Sequence, residues 1–212
     1  MSYKVILDLD DYSDIKSGLE WLWRLRARFP KFKCTLWSVM GWSTPQFLYE
    51  SAKWDWVQLG LHGWTHEADE VEKWGESQIL SYLTQADRMG CFVKGFHSPG
   101  WGRNKLLCNV LKNCDWFYQA HPKNERKEYF PDQSPPEGAK VYYPGEEVQI
   151  INGHELYGLG WGIEGLIDNK VLRIHGHTGD IGVTNSIKSL FPLIMEFPED
   201  TEFLFISELW DK

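Results

Sequence analysis

The chain has little that would take it out of the class of ordinary globular proteins with reduced thiols. Its four cysteines (Cys34, Cys91, Cys108, Cys114) form no C-x-x-C pair, which excludes a zinc ribbon and a thioredoxin-type motif. Apolar runs are short. Asp8 breaks the first one after Val5-Ile6-Leu7, so no signal-peptide core is expected at the start, and no stretch approaches the ~20 residues of a membrane span. Positive charge is also scarce, with 22 Lys+Arg against 30 Asp+Glu and a net charge of −8. That balance excludes a basic face for nucleic-acid phosphates or an anionic membrane surface. A cytoplasmic location, with no nucleic acid and no membrane as partner, is the expectation.

What is present is a globular composition, 42% hydrophobic and 25% charged over 212 residues, which fits a single domain with room for a full core. Tryptophan is abundant, with 12 Trp beside 9 Tyr and 11 Phe. Indole faces suit both core packing and the C–H faces of sugar rings.

Strand and helix signals alternate along the chain. YKVILDLDD reads as a strand, followed by Ser13 and Asp14 as cap candidates and an amphipathic helix from Ile15 to about Phe29. CTLWSVM, WVQLGLHG, CFVKGFHSP and WFYQAH read as further strands. A helix opened by Thr44-Pro45, SQILSYLTQADRMG and NKLLCNVLKNC fall between them. The proline-rich, charged segment 122–145 reads as a long loop insertion. VQIINGHELYG, VLRIHGHTG, NSIKSLFPLIMEF and TEFLFISEL then restore the rhythm as strand, strand, helix and strand. Repeated strand–helix units imply a parallel α/β sheet, open or barrel-like, whose chemistry sits at the C-terminal strand ends.

Polar clusters stand at those ends: Asp10-Asp11, His62 with His66, His97-Ser98-Pro99-Gly100, and His175 with His177. The i, i+4 spacing of His62 and His66 on a helical turn puts two imidazoles on one side, able to share a metal. A carboxylate from Asp10 or Asp11 completes a two-His, one-carboxylate set that leaves a position open for water. Glu67 follows the second His, which excludes the zinc-protease helix.

LDLDDYS, LGLHGWTHE, FHSPGWG and LRIHGHTGD, in this order, resemble the motifs of the polysaccharide deacetylases, carbohydrate esterase family four, the NodB-like homology domain. The resemblance spans about residues 5 to 180. It implies an irregular (β/α) barrel of about seven strands over residues 1–212, and a metal-dependent hydrolase that removes an N-acetyl group from an amino sugar or glycan precursor. The implied cofactor is a divalent metal, zinc first. By position, Asp11, His62 and His66 resemble the metal ligands, Asp10 the general base and His177 the general acid. Pro99 and Gly100 match the proline and oxyanion donor of the third motif, and Trp101 and Trp161 are candidate substrate walls. Two departures stand out. His97 occupies the place of the family's arginine, with Arg103 the nearest cation in sequence. The fourth motif has no match beyond Trp161 and Asp168 as candidates. His175 competes with His177 for the acid role, with Asp168 and Asp180 as possible carboxylate partners. Hydrolysis of a non-sugar amide and non-catalytic carbohydrate binding are the alternative functions.

Overall fold

The structure is a computed structural model, and it describes residues 4–67, 69–101, 105–119, 141–142, 148–151, 171–179 and 186–209. Its elements follow the alternation in the sequence. The strands are β1 (Lys4–Tyr12), β2 (Cys34–Ser38), β3 (Val57–Leu61), β4 (Phe92–His97), β5 (Phe117–Gln119), β6 (Val141–Tyr142), β7 (Val148–Ile151), β8 (Val171–His177) and β9 (Glu202–Leu204). The helices are α1 (Leu19–Arg28), α2 (Pro45–Ala52), α3 (Glu70–Lys73), α4 (Glu76–Met89), α5 (Lys105–Asn113) and α6 (Ile187–Ile194).

Among the described residues the strands pair in parallel, in the order β6-β5-β4-β3-β2-β1-β8-β7, with β9 paired to the start of β1. This curled parallel sheet with its helices is the irregular (β/α) barrel that the motifs imply, although nine short strands form it among the described residues instead of about seven. Eight of the nine correspond to strands read from the sequence; the additional one, β6, falls inside the segment expected as one long loop, and β9 is shorter than the expected final strand because Ile206–Leu209 turns into a 3₁₀ segment. The rest of the 122–145 insertion lies outside the described residues.

Helix ends differ from expectation at one place. α1 begins at Leu19 behind Gly18, whose φ of 59° makes it a left-handed cap, and Ser13 and Asp14 serve elsewhere. The Asp14 carboxylate accepts from the Thr44 amide at 3.0 Å, and Ser13 closes a turn onto Lys16. The Thr44 hydroxyl caps α2, and Gly90 closes α4 in the left-handed region, both as their residue types require.

The two faces of β1 explain the rest. Val5, Leu7 and Leu9 point to one side and join the main core with Leu22 and Leu25 of α1, Leu36 of β2, Ile174 of β8 and Leu190 of α6. Their alternates Ile6, Asp8 and Asp10 point to the other side. There Ile6 joins Trp37, Leu204 and Ile206 in a small apolar cluster beneath the buried carboxylates. A second apolar cluster, around Leu61, Phe96, Leu107 and Trp116, packs α4 and α5 on the other half of the sheet. No helix among the described residues is long and apolar enough to cross a membrane.

Trp37 is fully buried and packs against β3, where a Cβ on Gly60 would come within 2.3 Å of its ring. Gly60→Ala is therefore expected to destabilise the chain by about 1–3 kcal/mol through overpacking. Denaturant unfolding measures this, and an unchanged midpoint would contradict the packing described.

Candidate active site

Two strands build the base of the site. β1 and β8 pair in register with Ile6 opposite Arg173, Asp8 opposite His175 and Asp10 opposite His177. In-register neighbours on parallel strands share a face, and each long side chain of β8 leans one step further along β1. Arg173 reaches Asp8 with two charge-assisted hydrogen bonds, Nε to Oδ1 at 2.8 Å and Nη2 to Oδ2 at 2.6 Å. His175 reaches past Asp8, with Nδ1 at 3.0 Å from Asp8 Oδ2 and Nε2 at 3.3 Å from Asp10 Oδ2. Trp37 donates its indole N–H to Asp8 Oδ2 at 3.1 Å. Asp8 is fully buried, and the arginine fork and tryptophan satisfy it as a buried charge requires.

The next layer centres on Asp10, which is 5% exposed. His97, at the end of β4, places Nε2 at 3.3 Å from Asp10 Oδ2, and His62, just past β3, places Nε2 at 3.7 Å. The His62 and His97 rings stack within 10° of parallel, and His62 Nδ1 lies 2.8 Å from the His97 carbonyl oxygen. A carbonyl only accepts, so Nδ1 carries the proton and the Nε2 lone pair of a neutral His62 faces the carboxylates.

The outer layer holds Asp11 and His66. His66 Nε2 lies 2.9 Å from Asp11 Oδ1, and His62 Nε2 lies 3.8 Å from the same oxygen. The ligand atoms of Asp11, His62 and His66 all fall within 4.8 Å of one another, a spacing one cation can span. Asp10 Oδ1 is buried and accepts no hydrogen bond among the described residues, an oxygen left open toward a positive partner. The donors also fit a divalent metal: two neutral-imidazole positions and a carboxylate, with one His oriented by a backbone carbonyl.

His62 and His66 do not lie on a helical turn, as their spacing suggests. The His-Gly-Trp-Thr-His segment is a loop, with Gly63 at φ 70° and His66 at φ 61°, and Asp11 is also left-handed at φ 64°. Left-handed backbone at a non-glycine residue costs about 1–3 kcal/mol and persists where its surroundings impose it. Here they do. Glu70, buried at the start of α3, accepts from the backbone N–H groups of Trp64, Thr65 and His66 at 3.0, 2.7 and 3.1 Å and from the Thr65 hydroxyl at 2.6 Å. A side chain at Gly63 would run into Glu70 Oε1 and Pro99 Cγ, so this turn accepts only glycine.

Burial alone would raise the carboxyl groups here, but their imidazole and guanidinium partners win. Asp8 is held well below the usual range by Arg173 and His175, Asp10 by His62, His97 and His175, and Asp11 is lowered by His66 and His62. Burial dominates at His62, which falls to about 4 despite Asp10, and that keeps it neutral. At His66 the Asp11 carboxylate outweighs burial and raises the imidazole. At His175 burial is outweighed by Asp10 and Asp8, which raise it to about 9.

The expected residues are thus largely brought together. Pro99 packs on the Gly63 turn, Gly100 sits at φ 58° in the 3₁₀ turn Pro99–Trp101, and His177 is half-buried opposite Asp10. Trp161, Asp168, Asp180 and Arg103 lie outside the described residues. The sequence reading missed Asp8 and Arg173, whose signal was the period-2 alternation with Asp10 and His175, and Glu70, which had none. It also missed the rim pair Lys16 and Trp42. The Lys16 Nζ stands 4.4 Å over the Trp42 ring and 4.0 Å from Asp11 Oδ2, and Trp42 packs on His66 at 5.1 Å.

No protein-family model and no curated protein matches the sequence. Solved structures do match the fold. The Xyl-CE4 domain of a multidomain xylanase from the hindgut metagenome of Trinervitermes trinervoides superposes with a TM-score of 0.58 at 16% identity, over 99% of this chain and 91% of that one. A family 4 acetyl xylan esterase from Clostridium thermocellum, in complex with a cobalt ion, gives 0.59 at 13% identity, over 98% and 91%. A CE4 family pseudoenzyme from Bacillus anthracis gives 0.58 at 13% identity, over 99% and 66%.

Two outcomes follow from this geometry. Glu70→Gln is expected to weaken divalent-metal affinity by about 10–100-fold, as lost outer-shell partners do, while the fold survives; equilibrium dialysis reads it, and unchanged affinity would remove Glu70 from the site. The raised His175 imidazole stabilises the metal-free chain fully below its ordinary value of ~6.5, and that contribution is lost as pH rises through about 9. Thermal unfolding across that window should fall more steeply for the native chain than for His175→Gln; parallel curves would contradict the pairing. The fold around these residues is that of the carbohydrate esterase family four polysaccharide deacetylases.

Proposed function

We propose that the chain is a metal-dependent hydrolase that removes an N-acetyl group from an amino sugar or glycan precursor. The observation that carries this reading is the pairing of two sites at one strand end. Asp11, His62 and His66 can hold a cation, and the adjacent Asp10 keeps a buried carboxylate oxygen without a hydrogen bond among the described residues. The neighbouring structure named as an acetyl xylan esterase, in complex with a cobalt ion, supports the coarser part of this reading, removal of an acetyl group with a metal at hand. Zinc is the metal this donor set favours, because imidazole and carboxylate ligands with an open position suit it.

A divalent ion bound there would acidify water and polarise a carbonyl oxygen. The protein supplies the remaining steps. Asp10 takes the proton of the attacking water through its open oxygen, and His97 and His175 hold the other oxygen at 3.3 Å each. With these imidazoles on Asp10, the chain meets the need that the missing family arginine serves. The Gly100 N–H, presented by the left-handed turn after β4, donates to the developing oxyanion, a kind of contact worth about 3–4 kcal/mol where it has been removed in other enzymes. His177, opposite Asp10 on β8, gives a proton to the departing amine. Trp42 walls the rim on the His66 side. The walls expected from Trp161 and Asp168 lie outside the described residues.

The roles separate by substitution. Asp10→Asn is expected to keep the tight metal and lose ~10²–10⁴ in kcat, and His177→Ala to do the same with a smaller loss on an activated ester whose leaving group needs no proton. Asp11→Asn should lose tight metal first. Acetate release from N-acetylated amino sugars, acetylated xylan and small amides, run beside metal analysis, reads all three. Tight metal without turnover on any substrate would favour carbohydrate binding, and turnover on small amides alone would favour the non-sugar hydrolase.

A further inference from the structure

Three tryptophans gather away from the carboxylates, around the N-terminal ends of the strands. Trp54 and Trp56 stack within 3° of parallel at 5.4 Å, and Trp23 of α1 lies crosswise to both at 5.2 and 4.8 Å. Trp23 is 45% exposed, the most exposed tryptophan among the described residues. Trp56 continues from this cluster into the wall of an open cavity of about 220 Å³. Its other aromatic walls are Phe32, 5.8 Å from Trp56, and Phe203, which packs on Phe32 at 5.0 Å. The rim carries both signs, with Arg26, Lys31 and Lys33 set against Asp55 and Glu202. Arg26, one turn along α1 from Trp23, lies 3.9 Å from Asp55, and Lys33 is held by Glu208 at 3.1 Å. Trp56 is buried, yet its indole N–H donates to no group among the described residues. A buried indole usually has an acceptor.

We propose that this face is a second carbohydrate site, which takes a sugar residue of a neutral or N-acetylated glycan. Aromatic walls suit the C–H face of a sugar ring, and the rim supplies partners for its hydroxyls. A hydroxyl both donates and accepts, so it uses a guanidinium and a carboxylate side by side. A simple anion would meet Asp55 and Glu202, and a simple cation would meet Arg26 and the two lysines. The mixed rim therefore selects a ligand that is polar without net charge, and the Trp56 N–H adds one directional donor. This site is remote from the catalytic one. Phe32 and Lys33 precede β2, Asp55 and Trp56 precede β3, and Glu202 opens β9, whereas Asp10, His62 and His97 stand at the other strand ends. Glu202 pairs with Lys4 of β1, six residues before Asp10, a separation of about 20 Å along the strand. A ligand that fills both sites is an extended chain, whose second contact raises affinity without touching the reaction. Only that service to a chain being deacetylated rests on the functional reading above; the binding itself does not.

The test titrates the full chain with tri-N-acetylchitotriose and follows the indole N–H signals by proton–nitrogen NMR. Trp23→Phe, Trp54→Phe and Trp56→Phe assign the three signals, and a shift at Trp42 reports the catalytic site separately. The Trp23 and Trp56 signals are expected to move together and saturate. Trp23→Ala and Asp55→Ala, both at exposed side chains, each weaken this binding by about 10-fold. Trp56→Phe weakens it by a similar factor while keeping a ring in the core. The affinity should hold from about 0.05 to 0.5 M salt, because no net charge is matched. Signals that do not move, or binding unchanged by all three substitutions, overturn the proposal. So does binding that salt abolishes and inorganic phosphate displaces, which would mark an anion site. A kinetic arm identifies the source of the sugar. On glycol chitin, a long soluble N-acetylated chain, Trp23→Ala raises KM when both sites hold one chain, and leaves kcat and turnover of free N-acetylglucosamine unchanged. An unchanged KM with the NMR binding intact makes the occupant a separate glycan. A chain that binds the trisaccharide here but turns over no substrate sinks the enzymatic reading and leaves this site standing.

Discussion

Three aspartates on a single strand, Asp8, Asp10 and Asp11, are buried within four residues, and the rest of the structure answers that constraint. Carboxylates removed from water must be met by positive charge or by donors, or they would lose their charge. The strand meets its three demands in order of depth. Asp8 has a guanidinium fork and an indole, Asp10 has a ring of imidazoles, and Asp11 has His66 and the rim ammonium of Lys16. Satisfaction thus falls from complete at the bottom to open at the top. Chemistry becomes possible where it is incomplete.

The same gradient separates structure from function along β1. The apolar plug of Ile6, Trp37, Leu204 and Ile206 and the Asp8–Arg173 pair above it are fixed, because breaking a buried pair by removing one partner costs about 3–5 kcal/mol. They hold β8 in register with β1, and the register sets how far His175 and His177 project. Glu70 does the equivalent work for the His62–His66 loop from the other side, with four hydrogen bonds that keep His66 in a left-handed backbone conformation.

Much of this was legible in the sequence, and the parts that were not share a cause. The alternation of strands and helices, the strand-end clusters and the carboxylate–histidine set are local patterns, and the structure places them together. The i, i+4 spacing of His62 and His66 selected the right residues for the wrong local reason, since Gly63 and Glu70 shape a loop where a helical turn was expected. Asp8 and Arg173 sit in plain alternation, but their pairing depends on the contact of β1 with β8 across more than half the chain. Composition alone could not sort the tryptophans. Trp37, Trp56, Trp74 and Trp116 are core, Trp23, Trp54 and Trp56 pack on each other, and Trp42 stands at the site.

The proposed chemistry rests on a cation held by Asp11, His62 and His66, with Asp10 beside it and outside its coordination sphere. Anomalous diffraction from crystals of the chain loaded with about one equivalent of zinc tests this directly. One strong peak is expected about 2.0–2.2 Å from Asp11 Oδ1, His62 Nε2 and His66 Nε2, with Asp10 outside the coordination sphere. A peak bonded to Asp10 at that loading, or none at these residues, would contradict it.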